Sequence, residues 1–236
     1  MLVELDLGKG EKSSGEVGHG KYYSTMLIDA TLLRAARRHI VRNDTVMATI
    51  VERVGPCRFE IDRGGGPYAS LVEAILYQQL AGSAAVAIFR RLRERMGRRH
   101  ARPEVIAALS DLELREVGLS RQKIGYLRDL TARVQDGLAL HRVHRMDDDD
   151  AINTLTQVKG VGRWTAQMYL MFRLGRLDVL PVDDYGVRKA MQKAYRMRQL
   201  PKAARMERIA EAWRPYRSVA SWYLWRSLDT RLLGED

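Results

Sequence analysis

The chain has 236 residues, with 40 Lys or Arg against 29 Asp or Glu, so its formal charge is +11 with His neutral. Hydrophobic residues make up 46% of the chain, which suffices for a core and excludes a wholly disordered basic protein. The single cysteine, Cys57, excludes an internal disulfide, a four-cysteine iron–sulfur cluster and a cysteine-rich zinc site.

Residues 1–23 mix glycines with charged residues and offer little to bury, which predicts a flexible tail. They lack the basic start and apolar run of an export signal. The longest apolar stretch, around residues 74–89, is too short to cross a bilayer. We therefore expect a cytoplasmic protein without a membrane partner.

Helical periodicity dominates from about residue 24 onward, and only the short apolar piece around Cys57–Ile61 alternates as a strand would. The pattern predicts an all-α fold. The predicted helices are Asp29–Asn43, Asp44–Val54, Tyr68–Met96, Pro103–Leu109, Leu112–Val117, Arg121–Asp136, Ala151–Val158, Trp164–Leu174, Val187–Tyr195, Ala203–Trp213 and Ser218–Leu228.

Capping residues and glycines indicate where several of these helices begin or end. Ser110 with Glu113 predicts a capping box, Gly118 a helix stop and Ser120 the next N-cap. The four aspartates at 147–150 could suggest a cation site, but a solvated loop that ends in a helix N-cap explains them better.

Gly64–Gly66 before Pro67, and the Leu180-Pro181 pair, indicate hinges or boundaries. They predict two helical domains, one of residues 65–178 and one of residues 24–64 plus 179–236. A cleft between the two domains is the expected place for an active site.

The charge of +11 favours a polyanionic partner, because basic surfaces gain free energy when nucleic acid releases its counterions. A biased, arginine-rich composition is the alternative explanation of the charge.

The most informative segment is Leu155–Ala166, which predicts a short helix, a tight turn with Gly160 and Gly162, and a second helix. Glycines let such a turn present N–H groups at a helix N-terminus, where phosphate binds well. A plain helix–helix connector remains an alternative on this motif alone. About twenty residues later comes Pro181-Val-Asp-Asp-Tyr-Gly-Val-Arg-Lys189, an acidic pair at the start of a helix.

A Gly-Val-Gly hairpin followed by Pro-x-Asp-Asp-x-x-Val-x-Lys resembles the helix-hairpin-helix DNA glycosylase superfamily, and within it the 3-methyladenine DNA glycosylase II branch. The resemblance extends to residues 75–81, 118–127 and 213–218 with Trp225, and so covers about residues 26–228. It implies the minimal, all-helical form without the N-terminal β-domain, with the helix-hairpin-helix in the domain of residues 65–178.

The resemblance assigns Asp184 to the catalytic position, with Asp183 as the adjacent runner-up. A helix N-cap is the structural alternative for either residue. A carboxylate at a helix N-terminus stays ionised, which suits stabilising a positive sugar or orienting water. The implied domain of residues 24–64 plus 179–236 would then carry the catalytic aspartate.

Trp164 occupies the position where the glycosylase/lyases of the superfamily carry a lysine. Because no amine lies there to form a Schiff base, the resemblance implies a monofunctional hydrolase.

A glycosylase must flip its target base into a pocket. The resemblance places Trp164, Tyr185, Trp225 and Tyr77 around that pocket, and makes Leu80 the wedge that fills the gap in the duplex. It also assigns DNA contacts to Gly160, Val161, Gly162 and Thr165. An ordinary core role is the alternative for aromatic or leucine residues at helical spacing.

In some family members the backbone carbonyls at positions matching Thr156, Val158 and Val161 hold a monovalent cation, sodium or potassium. The resemblance implies no required cofactor, and a partner that is double-stranded DNA containing alkylated bases, bound by a monomer.

The predicted activity is base excision repair, with hydrolysis of the N-glycosidic bond of 3-methyladenine-like purines to leave an abasic site. A glycosylase for a deaminated or oxidised base is one alternative. A non-catalytic helix-hairpin-helix DNA-binding protein, with Asp184 as a cap only, is the other.

Overall fold

The computed structural model of the chain describes residues 25–62, 64–78, 82–97 and 100–228, and this part is almost entirely helical. The predicted all-α class is confirmed. The helices are α1 (Ala30–Asn43), α2 (Thr45–Val54), α3 (Gly66–Tyr77), α4 (Gly82–Arg95), α5 (Pro103–Ala107), α6 (Asp111–Glu116), α7 (Arg121–Gln135), α8 (Asp148–Leu155), α9 (Arg163–Phe172), α10 (Tyr185–Ala194), α11 (Ala203–Ala210) and α12 (Arg217–Arg226), with 3₁₀ helices at Leu140–Arg145 and Glu211–Trp213.

Side-chain caps explain where several helices begin. Asp29 and Asp44 accept hydrogen bonds from the first N–H groups of α1 and α2. The capping box of Ser110 and Glu113 is present at α6, and Ser120 caps α7. These boundaries agree with the sequence-based prediction because capping is a local property.

The single helix predicted over Tyr68–Met96 is wrong. Helix α3 ends at Tyr77, and Gln78 has an extended backbone, with φ −57° and ψ 132°. The Gln78 amide turns away and donates to the carbonyl of Gly160 at 2.8 Å. Apolar periodicity continues on both sides of this break, so the periodicity of the sequence does not reveal the end of α3.

The aspartate run also differs slightly from its prediction. Asp147 caps α8 by accepting from the N–H of Asp150, and residues 148–150 form the first helical turn instead of a loop. Acidic side chains there complement the positive helix N-terminus.

Two short strands, β1 (Thr25–Leu27) and β2 (Glu60–Asp62), pair antiparallel. The sequence pattern indicated the region of β2 but not β1, whose three residues are too few to show a period.

The described residues group into two compact units, 64–166 and 25–62 with 167–228, and the division falls inside α9. The domain boundaries inferred from the sequence stay a prediction, and the predicted tail 1–23 lies outside the described residues.

In the unit of residues 64–166, α7 packs against α3, α5 and α6, and α3 also packs against α4. Its core contains the fully buried Leu71, Ile75, Leu92, Leu127 and Leu130.

In the unit of residues 25–62 and 167–228, α12 packs against α1, α2 and α10. Asp44 joins several of its elements, because its carboxylate accepts from the hydroxyl of Tyr195 and from Trp213 Nε1 as well as capping α2. Within the described part of the chain, no helix is long and apolar enough to span a membrane.

Candidate active site

The glycine hairpin connects α8 to α9. Gly160 has φ +83°, in the left-handed region that favours glycine, and the carbonyl of Gly162 accepts from the N–H of Ala166 at 3.0 Å. Gly162 thus lies at the N-terminus of α9, where the first N–H groups of a helix point outward and carry partial positive charge.

Side chains of helix α7 contact the hairpin and support it. A Cβ built on Gly160 would lie 2.3 Å from the ring of Tyr126, so the ring fits only against a glycine. Asp129 accepts from the N–H of Lys159 at 2.8 Å and from Arg133 Nε at 2.8 Å. Burial raises the pKa of the Asp129 carboxyl, but these hydrogen bonds and the nearby positive charges outweigh burial and hold the pKa below its usual value.

The end of α3 is tied to the same unit. The Gln78 amide reaches the Gly160 carbonyl, and the ammonium of Lys123 donates to the carbonyl of Leu76. Burial lowers the pKa of Lys123. Leu80, the predicted wedge, follows this segment but lies outside the described residues.

Gly162 contrasts with Gly160. It is exposed, its φ is not positive, and a Cβ built on it would meet no atom within 4 Å. The chain itself therefore gives no reason for a glycine at 162, and a close approach from outside would supply one.

The other predicted DNA contacts of the hairpin have buried side chains. Val161 is 3% exposed and Thr165 is 8% exposed. Only the backbone of these residues could present itself to a phosphate.

Asp184 caps α10 and is 7% exposed. Its Oδ1 accepts from the N–H of Val187 at 2.7 Å and from Trp225 Nε1 at 2.8 Å. The neighbouring Asp183 is exposed. The structure thus shows Asp184 as an N-cap, and it also gives the carboxylate a second, indole donor that capping alone does not need.

Trp225, predicted to line a base pocket, is 9% exposed. Its ring lies 5.8 Å from that of Phe172, and a Cβ built on Gly186 would be 2.9 Å from Trp225 Cδ1 and 3.1 Å from Asp184 Oδ1. The structure therefore brings Trp225 and Asp184 together, with Gly186 leaving room for both. The sequence pattern does not reveal this contact, because residues 184 and 225 are forty-one positions apart.

The remaining predicted pocket residues are placed as follows. Tyr185, next to Asp184, is 46% exposed. Trp164 and Tyr77 are partly exposed and belong to the unit of residues 64–166, and the Tyr77 ring packs edge-on against Phe89 at 6.5 Å. Burial raises the pKa of the Tyr77 hydroxyl.

The segment that leads to Asp184 is anchored to the start of α12. Arg217 makes a two-point ion pair with Asp178, at 2.8 and 2.9 Å, and Arg214 adds a third contact to Asp178 at 2.9 Å. The hydroxyl of Ser218, fully buried, accepts from the N–H of Val179 at 2.9 Å. No local sequence pattern indicates these partners, because they lie about forty residues apart.

Gln167 anchors the same segment from α9. Its Nε2 donates to the carbonyl of Leu180 at 3.1 Å, whereas its buried Oε1 has no hydrogen-bond partner among the described residues. A buried acceptor left unpaired costs roughly 1–3 kcal/mol of stability.

Metal ligands of the usual kind do not assemble here: no group of three His, Cys, Asp or Glu in the described ranges could hold an ion. Burial raises the pKa of the Cys57 thiol to about 12, so this thiol stays protonated at neutral pH.

Solved structures show the class to which this fold belongs. The chain is similar to a 3-methyladenine DNA glycosylase of Schizosaccharomyces pombe in complex with abasic DNA, with 31% identity, a TM-score of 0.73, and coverage of 86% of this chain and 99% of the other. It is also similar to a DNA-3-methyladenine glycosidase of Bacillus halodurans, with 31% identity, a TM-score of 0.75, and coverage of 89% and 95%. The fold is that of helix-hairpin-helix DNA glycosylases.

The family model of the HhH-GPD superfamily base excision DNA repair proteins matches residues 72–215. The chain belongs to this superfamily. Among curated proteins, DNA-3-methyladenine glycosylase 1 of Schizosaccharomyces pombe is 35% identical over 138 residues, which are 57% of this chain and 60% of that protein. A putative DNA-3-methyladenine glycosylase of Bacillus subtilis is 32% identical over 141 residues, and the match spans 49% of its length.

Proposed function

We propose that this protein is a monofunctional base excision repair glycosylase, which flips alkylated purines out of double-stranded DNA and hydrolyses their N-glycosidic bond to leave an abasic site. The observation that carries the proposal is Asp184: a buried carboxylate at a helix N-terminus, with Oδ1 held by two N–H donors. The similar proteins named 3-methyladenine DNA glycosylases support the substrate class.

Removal of an alkylated purine requires little chemical assistance from the protein. Alkylation at a ring nitrogen makes the purine a cationic leaving group, so departure of the base needs no strong acid. Positive charge then develops on the sugar, and a fixed negative charge lowers the energy of that transition state. The Asp184 carboxylate supplies this charge and orients the attacking water, while the donors from Val187 and Trp225 hold it in place.

Trp164 supports the monofunctional reaction. It stands where the resemblance places the lysine of the lyases, and an indole cannot form a Schiff base. The product should therefore be an intact abasic strand, with no covalent intermediate.

The hairpin supports the DNA-binding part of the proposal. The N–H groups that begin α9 form a phosphate site, and the open space beside Gly162 lets a sugar–phosphate backbone approach closely. The charge of +11 adds long-range attraction for a polyanion. One chain carries both the hairpin and Asp184, so a monomer suffices.

The hairpin residues also fit the monovalent cation that the resemblance implies. Thr156 is the C-cap of α8, where backbone carbonyls lack partners within the helix. The Val158 carbonyl accepts the N–H of Val161 at 3.0 Å and keeps a second lone pair. A sodium or potassium ion held by the carbonyls of Thr156, Val158 and Val161 would add positive charge near a bound phosphate, and the hydrolysis itself needs no cofactor.

Base release from lesion-containing duplexes tests the proposal. We expect the purified protein to release free 3-methyladenine from methylated DNA, and to leave strands that break only after alkali treatment. Borohydride added during the reaction should trap no protein–DNA adduct.

The experiment also uses duplexes that contain hypoxanthine or 8-oxoguanine in place of the alkylated base. Release of only these bases would move the substrate class to deaminated or oxidised lesions. Binding of every duplex with release of no base would leave a DNA-binding protein without catalysis, and a trapped adduct would contradict the monofunctional mechanism.

A further inference from the structure

Gln167 contributes a buried amide next to the segment that carries Asp184. Its side chain is 3% exposed, and Nε2 donates to the Leu180 carbonyl at 3.1 Å. The orientation of this amide is fixed, because a carbonyl can only accept: with the amide flipped, two oxygens would face each other. Oε1 is thereby forced into a place where no described residue donates to it.

The Leu180 carbonyl is the first link of a short hydrogen-bonded turn. It accepts a second hydrogen bond, from the N–H of Val182 at 3.0 Å, and the Pro181 carbonyl accepts from the N–H of Asp184 at 3.0 Å. The turn of residues 180–184 therefore begins at the atom that Gln167 holds and ends at Asp184.

The unpaired Oε1 lowers the stability of the fold, and this loss of stability indicates that the amide has a functional role. A methionine of similar shape would fill the same space without a buried, unpaired acceptor. A buried amide that lowers the stability of the protein is expected where it serves a functional site.

We propose that Gln167 is a positioning residue for Asp184: by holding the Leu180 carbonyl, it fixes the turn of residues 180–184 and with it the direction of the carboxylate. The effect on rate rests on the proposed function, but the position of the carboxylate can be measured without it, through the N–H of Trp225 that donates to Asp184 Oδ1.

The first variant is Gln167→Met, which keeps the shape and removes the donor. In single-turnover excision of 3-methyladenine at saturating enzyme we expect a rate at least ~10-fold lower, with DNA affinity within about twofold and a melting temperature that does not fall. In the NMR spectrum, solvent exchange of the Trp225 indole N–H should be at least ~10-fold faster, because the carboxylate that protects it is less well fixed.

Thr131→Val is the matched control. Thr131 is also 3% exposed and its hydroxyl also donates to a carbonyl, that of Leu127, but it lies in the other unit. The control should leave both the excision rate and the Trp225 exchange within about twofold of the unchanged protein.

Gln167→Glu provides a rescue. A protonated glutamic acid can donate to the Leu180 carbonyl and an ionised one cannot, and burial raises its pKa toward neutrality. The rate of this variant relative to the unchanged protein should therefore rise as pH falls, and its Trp225 exchange should slow in the same range.

The outcomes separate the two proposals. Normal Trp225 exchange in Gln167→Met overturns the positioning role whether or not the protein excises any base. Should Gln167→Met fail to fold, a pH-independent rate and exchange ratio for Gln167→Glu overturns it as well. Failure of the unchanged protein to release a base overturns only the proposed function.

Discussion

The hairpin and the Asp184 turn show two opposite ways of preparing a backbone for function. At the hairpin, Asp129 and Tyr126 hold one side, and the other side ends in the exposed Gly162, with open space around its Cα. At the turn, donors reach the carboxylate of Asp184 from its own helix and from Trp225, and the side chain is buried. An exposed backbone site can accept any phosphate, whereas a buried charge fixed by N–H groups acts only on a group brought into its reach.

Glycine serves both regions, for different reasons. Gly160 lets Tyr126 approach inside the protein, and Gly186 leaves room for Trp225 beside Asp184. Gly162 leaves room for something outside the protein. Substitutions at these positions therefore distinguish internal support from external recognition.

We expect the most severe loss of stability from a substitution at Gly160. Gly160→Val would place a branched side chain on the Tyr126 ring at φ +83°, so we expect a loss of roughly 3 kcal/mol in the free energy of unfolding, from strain and overpacking together. Urea unfolding measures this directly. A loss below about 1 kcal/mol would mean that Tyr126 moves away readily and does not support the hairpin.

The next effect is on catalysis, at Trp225. Trp225→Phe keeps an aromatic ring and removes the N–H that holds Asp184 Oδ1, so we expect excision to slow by about 30-fold, or about 2 kcal/mol in the activation barrier. Rates on 3-methyladenine and on hypoxanthine, if cut, should fall by similar factors. A loss confined to the cationic base would instead assign the ring to base stacking, as a cation–π contact.

The third effect is on DNA affinity, at Gly162. Gly162→Val should leave the melting temperature nearly unchanged, because the added side chain enters open space, but it should obstruct a phosphate backbone. We expect binding to damaged and undamaged duplexes to weaken alike, by about tenfold or 1.4 kcal/mol, with a shallower salt dependence. If the folded variant binds DNA as tightly as the unchanged protein, the hairpin is only a connector between α8 and α9 and does not bind phosphate.

The smallest effect is a pH dependence of stability that comes from Asp129. Its carboxyl pKa is lowered in the folded state, so its contribution is complete above the unfolded pKa, near 3.9, and is lost as pH falls through the folded value. We expect Asp129→Asn to cost about 1 kcal/mol at pH 7 and progressively less below pH 4. A cost that stays constant down to pH 2 would show that the charge is not what holds Lys159.

The local features of the fold could be predicted from the sequence. The caps at Ser110 and Ser120 were predicted because a cap depends on three or four adjacent residues. The break after Tyr77 was not, because a hydrogen bond to Gly160, more than eighty residues away, determines where the Gln78 amide points.

The candidate site divides in the same way. The motif around Gly160 and Asp184 lies in two short segments, and a resemblance on those segments sufficed to select them. The indole of Trp225 was selected too, but for stacking, and its hydrogen bond to Asp184 follows from the packing of α12 on α10. Gln167 was missed, because a glutamine inside an apolar helix has no distinctive pattern.

The proposed mechanism assigns catalysis to Asp184 and not to Asp183. Single-turnover release of 3-methyladenine by Asp184→Asn and by the matched Asp183→Asn tests it most directly, since Asp183 is adjacent but exposed. We predict that Asp184→Asn lowers the rate by at least ~100-fold, about 2.7 kcal/mol, with DNA binding nearly intact, and that Asp183→Asn stays within about threefold. An inactive Asp183→Asn beside an active Asp184→Asn would instead make Asp183 the catalytic carboxylate.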